Sequence, residues 1–280
     1  MKYCYLNGKI IETVKASISP YDVGFLRGFG VFDVMKTFNG KPFLINEHVA
    51  RFFRSAGEIN LKLPITQNKM AEIIHDLLRK NGVNKSGDED VIIRSVLSGG
   101  VASDGFTYNP DSPTLIILIE KFYPLGENIF KKGAEIITLD FQRHFPGAKI
   151  TDYKAALKMQ ETKNKLKAFE IVYSPKGKIL EGTTSNIFAF IKGKLVTPKE
   201  DILVGSTRNL VIQLSKPFFS VEEGAISYKQ LLGADEVFLT ATNKDIVPII
   251  KVDDKKINGG KVGKNTRLLM KEFKKYTDNF

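Results

Sequence analysis

Apolar stretches in the first third of the chain are interrupted by turn-forming pairs. The segments "YCYLNGKII" and "GVFDVMKTFNGKPFLI" each place an Asn-Gly pair between apolar residues. An Asn-Gly pair suits the tight turn of a two-residue hairpin, because both positions tolerate positive φ. The pattern therefore predicts two β-hairpins near the start of the chain.

Apolar residues at helical spacing follow these hairpins. They predict one helix over 46–60 with Asn46 as its N-cap, and a second helix that begins after Thr66 and ends at Lys80. Two strongly apolar stretches then predict buried strands at 90–98 and 114–121.

The second half of the chain mixes the two periodicities. Apolar spacing predicts helices over 152–166, 205–214 and 262–276. Short β-branched and aromatic stretches predict strands between these helices. The predicted strands lie at 134–140, 169–174, 179–181, 186–191, 194–197, 235–240 and 246–252.

Helices and strands in this order lack strict βαβ alternation, which favours an α+β fold over a doubly wound sheet. The segment "EKFYPLGEN" contains proline and glycine and has no regular periodicity. We therefore predict a small N-terminal domain over 1–119, a linker over 120–128 and a larger C-terminal domain over 129–280.

Composition narrows the class of protein. The chain has 280 residues and a formal net charge of +11. No apolar run reaches the ~20 residues that a membrane-spanning helix needs, so we expect a cytoplasmic protein without a membrane partner. One cysteine excludes an internal disulfide, and three widely separated histidines predict no metal site. Positive charge leaves a non-enzymatic, nucleic-acid-binding protein as one alternative.

Lys149 in "FPGAKITDY" and Glu181 in "KILEGTTSNIF" are the first candidate functional residues. A lysine amine near a buried carboxylate and several hydroxyls suits an aldehyde cofactor with a pyridine ring and a phosphate. Each residue alone is equally consistent with an ordinary surface charge. Their order with further polar segments carries the interpretation.

Three further segments carry groups that bind anions. "LVGSTRNLVIQL" places a glycine and two hydroxyls at a helix start, where free N–H groups bind phosphate. "FLTATNKDIVP" ends a strand in hydroxyls, and Arg51 in "NEHVARFF" lies on a partly apolar helix. The alternatives are an ordinary helix cap with Ser206 as N-cap, a loop, and an arginine lying over the core.

These segments together resemble the class IV, or fold-type IV, pyridoxal-phosphate aminotransferases. "GFGVFDVMKTFNGKPFLINEHVARFFRSA" is similar to the N-terminal signature of that family. "AKITDY", "LEGTTSNIF", "VGSTR" and "FLTATNKDIVPI" are similar to its cofactor segments and keep their order. The resemblance implies a two-domain fold, with a small N-terminal α/β domain and a larger domain around a barrel-like sheet.

The resemblance also implies pyridoxal 5′-phosphate as the cofactor and assigns roles to single residues. Lys149 is expected to be the Schiff-base lysine and Glu181 the partner of the pyridine nitrogen. The family commonly has asparagine where this chain has Asp152. The remaining expected cofactor-binding residues are Arg51, Tyr153, Thr184, Leu203, Ser206, Thr207 and Thr242.

Substrate choice is expected to depend on four residues near the N-terminal signature and on the first long strands. Lys36 is similar to the residue that D-amino-acid enzymes have at this place. Phe32, in contrast, replaces a tyrosine that those enzymes often use. Arg27 and Arg94 are expected to bind substrate carboxylates, across a dimer interface if one forms. Arg94 as a purely structural strand residue is an equal alternative.

We therefore predict a D-amino-acid aminotransferase that uses 2-oxoglutarate or pyruvate as the acceptor. An L-branched-chain aminotransferase is the main alternative, and an aminodeoxychorismate lyase is a weaker one. The resemblance further implies a homodimer whose partners are small-molecule amino acid and keto acid substrates, and we expect no nucleic-acid partner.

Overall fold

The computed structural model describes residues 1–83 and 87–280, which form two compact units. The first unit comprises Met1–Tyr123, Gly147–Asp152 and Phe280. The second comprises Pro124–Pro146 and Tyr153–Asn279. The chain thus passes between units at Tyr123, inside the predicted linker 120–128, and visits the first unit again at 147–152.

The first unit contains an antiparallel sheet with helices on one face. Its sheet order is β2-β1-β6-β5-β3-β4. The elements are β1 Tyr3–Leu6, β2 Lys9–Glu12, α1 Val23–Arg27, β3 Gly30–Phe38, β4 Lys41–Pro42, α2 Ile45–Glu58, α3 Gln67–Lys80, β5 Val91–Ser98 and β6 Thr114–Lys121.

Both predicted hairpins form. β1 pairs with β2 and β3 pairs with β4, each antiparallel, and the Asn-Gly residues at the turns have positive φ. Thr66 accepts a hydrogen bond from the Lys69 amide and so caps α3 as predicted. The predicted Asn46 cap is wrong, because α2 already begins at Ile45 after Leu44.

Alternate residues of β3, β5 and β6 point to opposite faces of this sheet. One face packs on α2 and α3 through buried side chains such as Met35, Ile93, Phe52 and Leu77. The opposite face is called the open face here. From β3 it carries Phe32, Val34 and Lys36, and from the neighbouring strands it carries Ile92, Arg94, Val96, Ile116, Leu118 and Glu120.

The second unit contains a larger sheet that curls into a half-barrel, with order β12-β11-β10-β14-β15-β7-β8 and β16 beside β15. β13 and β9 form a separate pair. The elements are α4 Glu127–Lys132, β7 Ala134–Leu139, α5 Lys154–Lys158, α6 Gln160–Lys165, β8 Glu170–Tyr173, β9 Lys178–Ile179, β10 Asn186–Ile191, β11 Lys194–Thr197, α7 Ser206–Ser215, β12 Val221–Glu223, β13 Ile226–Ser227, α8 Tyr228–Leu232, β14 Glu236–Ala241, β15 Asp245–Val252, β16 Lys255–Lys256 and α9 Lys264–Asp278.

The core of this unit lies under its central strands. Ile187, Leu239 and Val247 are fully buried on β10, β14 and β15. The single helix predicted over 152–166 is instead two short helices that meet at Met159. The observed mixture of antiparallel and parallel pairs confirms the predicted α+β class.

Within the described ranges, no helix combines the length and apolar character that crossing a membrane requires. The same residues contain no cluster of histidine, cysteine and acidic side chains suited to a metal ion.

Candidate active site

Lys149 lies in a short extended segment that adds to the free edge of β3. The Phe32 amide donates to the Lys149 carbonyl at 2.8 Å, and the Lys149 amide donates to the Ser55 hydroxyl at 3.0 Å. The Lys149 amine lies 4.6 Å from the centre of the Phe32 ring. Bonds on both sides of the residue therefore fix its backbone, and the amine lies beside an aromatic ring of the open face.

A buried charge cluster lies on the helix-facing side of the same strand. Arg51 donates to both oxygens of Asp33, from Nε at 2.7 Å and from Nη2 at 2.9 Å. His48 Nδ1 lies 2.7 Å from Asp33 Oδ1. An ionised carboxylate only accepts hydrogen bonds, so Nδ1 of His48 carries the proton and donates it. The pairing with Asp33 thus uses two of the three guanidinium nitrogens of Arg51.

Burial and the neighbouring charges together set the charge states of this cluster. Burial alone raises the pKa of Asp33, but the charges and hydrogen bonds of Arg51 and His48 outweigh it and hold that pKa well below its usual range. Burial also lowers the pKa of His48, and the nearby cations Arg51 and Lys149 add to this effect against the opposing pull of Asp33. The imidazole is therefore neutral at pH 7, and the carboxylate is ionised.

The residues expected to bind substrate lie in two places of the first unit. Phe32, Lys36 and Arg94 lie on the open face, whereas Arg27 is exposed at the end of α1. Lys36 is buried, and its amine lies 3.9 Å from the Phe38 ring centre. Arg94 donates two hydrogen bonds of 2.9 Å to Glu120.

A cavity of about 380 Å³ adjoins this face. Its floor is formed by open-face positions that include Gly30, Val96 and Ile116, and Thr151 lines it as well. The segment that precedes α1 borders it through Ile18 and Pro20. The lining is largely apolar, as is usual for a small-molecule site with few polar groups.

Glu181 in the second unit is buried and fully engaged. Arg143 donates to Glu181 Oε1 from Nε at 2.8 Å and from Nη2 at 2.7 Å, while the Leu203 amide donates to Oε2 at 2.9 Å. The same Arg143 Nη2 also donates to the carbonyl of Pro146. Both carboxylate oxygens thus act as hydrogen-bond acceptors, which is the role that a partner of a pyridine N–H needs.

The bond to Leu203 links Glu181 to the start of α7. The Leu203 carbonyl accepts from the Asn186 side chain at 2.8 Å, and the chain then turns at Gly205 into the helix. A Cβ at Gly205 would overlap the Asn186 side-chain oxygen, so only glycine fits here. In the described part of the chain no side chain caps α7, and the first N–H groups at Ser206 and Thr207 suit a phosphate.

Thr184 and Thr242 lie on two turns that share one buried acid. Glu170 accepts from the Thr184 amide at 2.6 Å and from its hydroxyl at 3.0 Å. Lys244, two residues after Thr242, pairs with the other oxygen of Glu170 and with the Thr184 hydroxyl. Burial raises the pKa of Glu170, but Lys244 and these bonds outweigh it and lower the value.

Tyr153 begins the return of the chain into the second unit and precedes α5. It is half-buried. Its neighbour Tyr173 is buried, and burial raises the pKa of Tyr173 to about 12, so that phenol keeps its proton.

The geometry joins the predicted residues into one group per unit. In the first unit Lys149 and Phe32 adjoin, and Arg51 approaches the same strand from α2. In the second unit Glu181, Leu203 and the start of α7 form one continuous chain of contacts. Residues 30–252 match the Amino-transferase class IV family. The chain belongs to the class IV aminotransferases.

Relatives of this aminotransferase carry two kinds of name. A Methanocaldococcus jannaschii protein, provisionally named a branched-chain-amino-acid aminotransferase, is 32% identical over 96% of the chain and 94% of its own length. The D-alanine aminotransferase of Staphylococcus haemolyticus is 28% identical over 100% of the chain and 99% of its own length.

Solved structures agree on the fold. The branched-chain amino acid aminotransferase of Escherichia coli superposes with a TM-score of 0.88 at 24% identity, covering 96% of this chain and 92% of that one. The branched-chain aminotransferase of Thermoproteus uzoniensis, solved with norvaline, gives 0.86 at 23% identity, covering 98% and 94%. The predicted fold and family are thereby confirmed.

Class IV aminotransferases use pyridoxal 5′-phosphate, and the donor set of this aminotransferase fits it. The buried Glu181 suits a protonated ring nitrogen, and the helix start at Ser206 suits a phosphate. Membership of this enzyme family excludes the alternative that the chain is a non-enzymatic, nucleic-acid-binding protein.

Sequence reasoning missed the residues that support the predicted site residues. These are Asp33, His48, Arg143, Glu170 and Lys244. Asp33 carried a signal, since an acid inside an apolar strand must find a buried partner. His48 and Arg51 lie three residues apart on one helix and so share its face. The other partners join segments distant in sequence, and nothing in their local pattern marks them.

Proposed function

We propose that this aminotransferase acts on D-amino acids, with pyruvate or 2-oxoglutarate as the amino acceptor. The observation that supports it is the buried Lys36 on the open face, two strand positions from Val34 and four from Phe32. A cation there can bind the carboxylate that every amino acid and keto acid carries. The D-alanine aminotransferase relatives, which span the chain, support the same proposal.

The roles of single residues belong to this proposal. Bound pyridoxal phosphate supplies an aldehyde that takes up amino groups and a ring that accepts the electron pair of a broken Cα–H bond. The Lys149 amine would hold the cofactor through that aldehyde and would move a proton at the substrate Cα. Glu181 keeps a proton on the ring nitrogen. Arg51, Ser206, Thr207 and Thr242 bind the phosphate, and Tyr153, Thr184 and Leu203 line the cofactor.

Substrate carboxylates are bound, in this proposal, by Arg27, next to Phe32 and Lys36, and Arg94 binds a second substrate carboxylate where that group displaces Glu120. The L-branched-chain alternative is favoured by a different observation. Between Phe32 and Lys36 the open face is largely aliphatic, through Val34, Val96 and Leu118, and suits a branched apolar side chain.

We further infer a homodimer. Large apolar side chains are exposed in the single chain, including Tyr21 at 63%, Phe106 at 76% and Phe25 at 78%, and Phe25 also lines the cavity. Exposed apolar groups of this size usually mark an interaction surface. Light scattering of the purified protein tests this inference, and a monomer at micromolar concentration would contradict it. The cytoplasmic location stays a prediction.

The deciding experiment combines cofactor mapping with half-reactions. Borohydride reduction of the cofactor-loaded protein is expected to label Lys149, and Lys149→Ala is expected to abolish turnover without unfolding the protein. The visible absorbance band is expected to disappear rapidly with D-alanine and more slowly with D-glutamate. Label at another lysine would overturn the site assignment. A rapid change with L-leucine alone would establish the branched-chain alternative.

A further inference from the structure

The open face of the small sheet is ordered in rows across β3, β5 and β6. Register places Phe32, Val96 and Ile116 in one row, and Val34, Arg94 and Leu118 in the next. The third row holds Lys36, Ile92 and Glu120. The first row adjoins the Lys149 amine, so rows two and three extend the same wall away from the reacting group.

Arg94 and Glu120 form a charged pair on this largely aliphatic wall. Nε and Nη2 of Arg94 each lie 2.9 Å from a different oxygen of Glu120, which makes the pair bidentate. The side chains are 37% and 35% exposed. Both the carboxylate and the guanidinium are therefore accessible to a third charged group.

The distance from the amine suits the far end of a substrate. Successive residues on one face of a strand are about 7 Å apart, and neighbouring strands are separated by about 5 Å. The Cα of Arg94 therefore lies about 8 Å from that of Phe32, whose ring contacts the Lys149 amine. A substrate that reacts at Lys149 and extends over Phe32 brings its side chain to Arg94.

We propose that Glu120 is a specificity-determining residue that holds Arg94 and disfavours dicarboxylic substrates. This proposal rests on the proposed function, because it concerns the substrate side chain of an aminotransferase. A second substrate carboxylate can bind Arg94 bidentately only by replacing Glu120. It then leaves Glu120 unpaired beside another negative charge, whereas a monocarboxylate with an apolar end leaves the pair intact.

The energetics favour the same ordering. Exchange of one carboxylate for another at Arg94 gains little, because the new pair replaces an equivalent one. The displaced carboxylate adds like-charge repulsion and loses its partner. Of the two acceptors, pyruvate is therefore favoured over 2-oxoglutarate, and small or apolar amino donors over acidic ones.

Glu120→Gln tests this directly in the cofactor-loaded enzyme. The change keeps the shape of the side chain and removes its charge, so Arg94 becomes available to a substrate carboxylate. Binding is measured by calorimetry with glutarate and pentanoate, which have equal carbon counts and differ by one carboxylate. We expect glutarate to bind about fivefold more tightly to the variant, as the loss of one competing ion pair implies, and pentanoate to bind unchanged.

Kinetics provide a second measurement. The ratio of kcat/KM for 2-oxoglutarate to that for pyruvate is expected to rise by a similar factor. Glu89→Gln is the matched control, since Glu89 is an exposed acid 3.9 Å from Lys121 at the surface, and we expect it to change neither ratio. Adding Arg94→Gln to the Glu120 variant is expected to remove the gain for glutarate.

An unchanged ratio of glutarate to pentanoate affinity in an active Glu120→Gln enzyme would overturn the proposal, as would equal tightening of both ligands. Glu120→Ala repeats the test with the carboxylate removed altogether and is expected to shift the ratio in the same direction. Failure of the proposed function looks different, because the wild-type enzyme would then turn over no D-amino acid.

Discussion

At the scale of single residues, the cluster of Asp33, His48 and Arg51 combines a fixed charge with a neutral imidazole. The Asp33 carboxylate accepts two hydrogen bonds from the Arg51 guanidinium and a third from the His48 imidazole. Such a cluster is stable only while each member keeps its protonation state, since removing one partner leaves a buried charge uncompensated. The expected phosphate ligand Arg51 is thereby oriented before any cofactor binds.

This cluster predicts loss of stability in mild acid. The folded-state pKa of His48 is lowered, so below about pH 6.5 the unfolded chain binds a proton that the folded chain does not. As the pH is lowered through this range, the free energy of unfolding decreases by up to about 1.4 kcal/mol per pH unit. Asp33, whose folded-state pKa is also lowered, adds a further loss below about pH 4.

Urea denaturation between pH 4 and 8 measures this slope. His48→Asn retains an N–H donor for Asp33 but does not titrate, and we expect it to flatten the curve between pH 4.5 and 6.5. His75→Asn, on the exposed face of α3, is the control and should leave the slope unchanged. An equal slope in wild type and His48→Asn would show that another group titrates.

At the scale of elements, the start of α7 depends on one close approach. Gly205 is the N-cap, and any Cβ there would meet the side-chain oxygen of Asn186. Asn186 in turn holds the Leu203 carbonyl. The helix start and the segment that contacts Glu181 therefore pack together so closely that one added methyl group at Gly205 would clash.

Gly205→Ala is expected to lower the free energy of unfolding by about 1–3 kcal/mol and to weaken the binding of pyridoxal phosphate. Gly126→Ala is the matched control, because Gly126 is also an N-cap, with extended backbone and open space around its Cα. The difference between the two variants isolates the clash from the general cost of alanine at a cap. Thermal melting and a cofactor titration measure both effects, and equal losses would contradict the argument.

Elements with strong local patterns could be predicted from the sequence. The strands 114–121, 186–191 and 194–197 appear as expected, because their apolar stretches end in clear turn residues. The predicted helix 152–166 breaks at Met159, where the sequence carries neither glycine nor proline. Similarity of ordered motifs is the source of the expected site residues, and their roles stay predictions. Contacts such as Arg143 with Glu181 depend on tertiary packing that no local pattern encodes.

At the scale of the whole molecule, residues 147–152 connect the path of the chain to its chemistry. The segment belongs to the first unit, although the residues on both sides belong to the second. The Thr151 amide donates to the Gly30 carbonyl at 3.0 Å, and the Thr151 hydroxyl donates to the Gly28 carbonyl at 2.7 Å. These bonds help to hold the segment that carries Lys149 against the edge of β3.

Thr151→Val is expected to lower the free energy of unfolding by about 1–2 kcal/mol, because the hydroxyl bond is lost and a carbonyl is left unpaired. Hydrogen exchange at the Phe32 amide, which donates to Lys149, is expected to quicken in the variant. Thr162→Val on the exposed side of α6 should change neither value. Unaltered exchange at Phe32 in Thr151→Val would mean that other contacts hold the segment.

The detour at 147–152 also orders events during synthesis. When the ribosome has released only the first 123 residues, the edge of β3 at Phe32 still lacks its backbone partner. That edge remains open for translation of about 25 further residues, a matter of seconds at ordinary elongation rates. During that interval the nascent sheet can pair with another chain, and Lys149 reaches its place only when the edge closes.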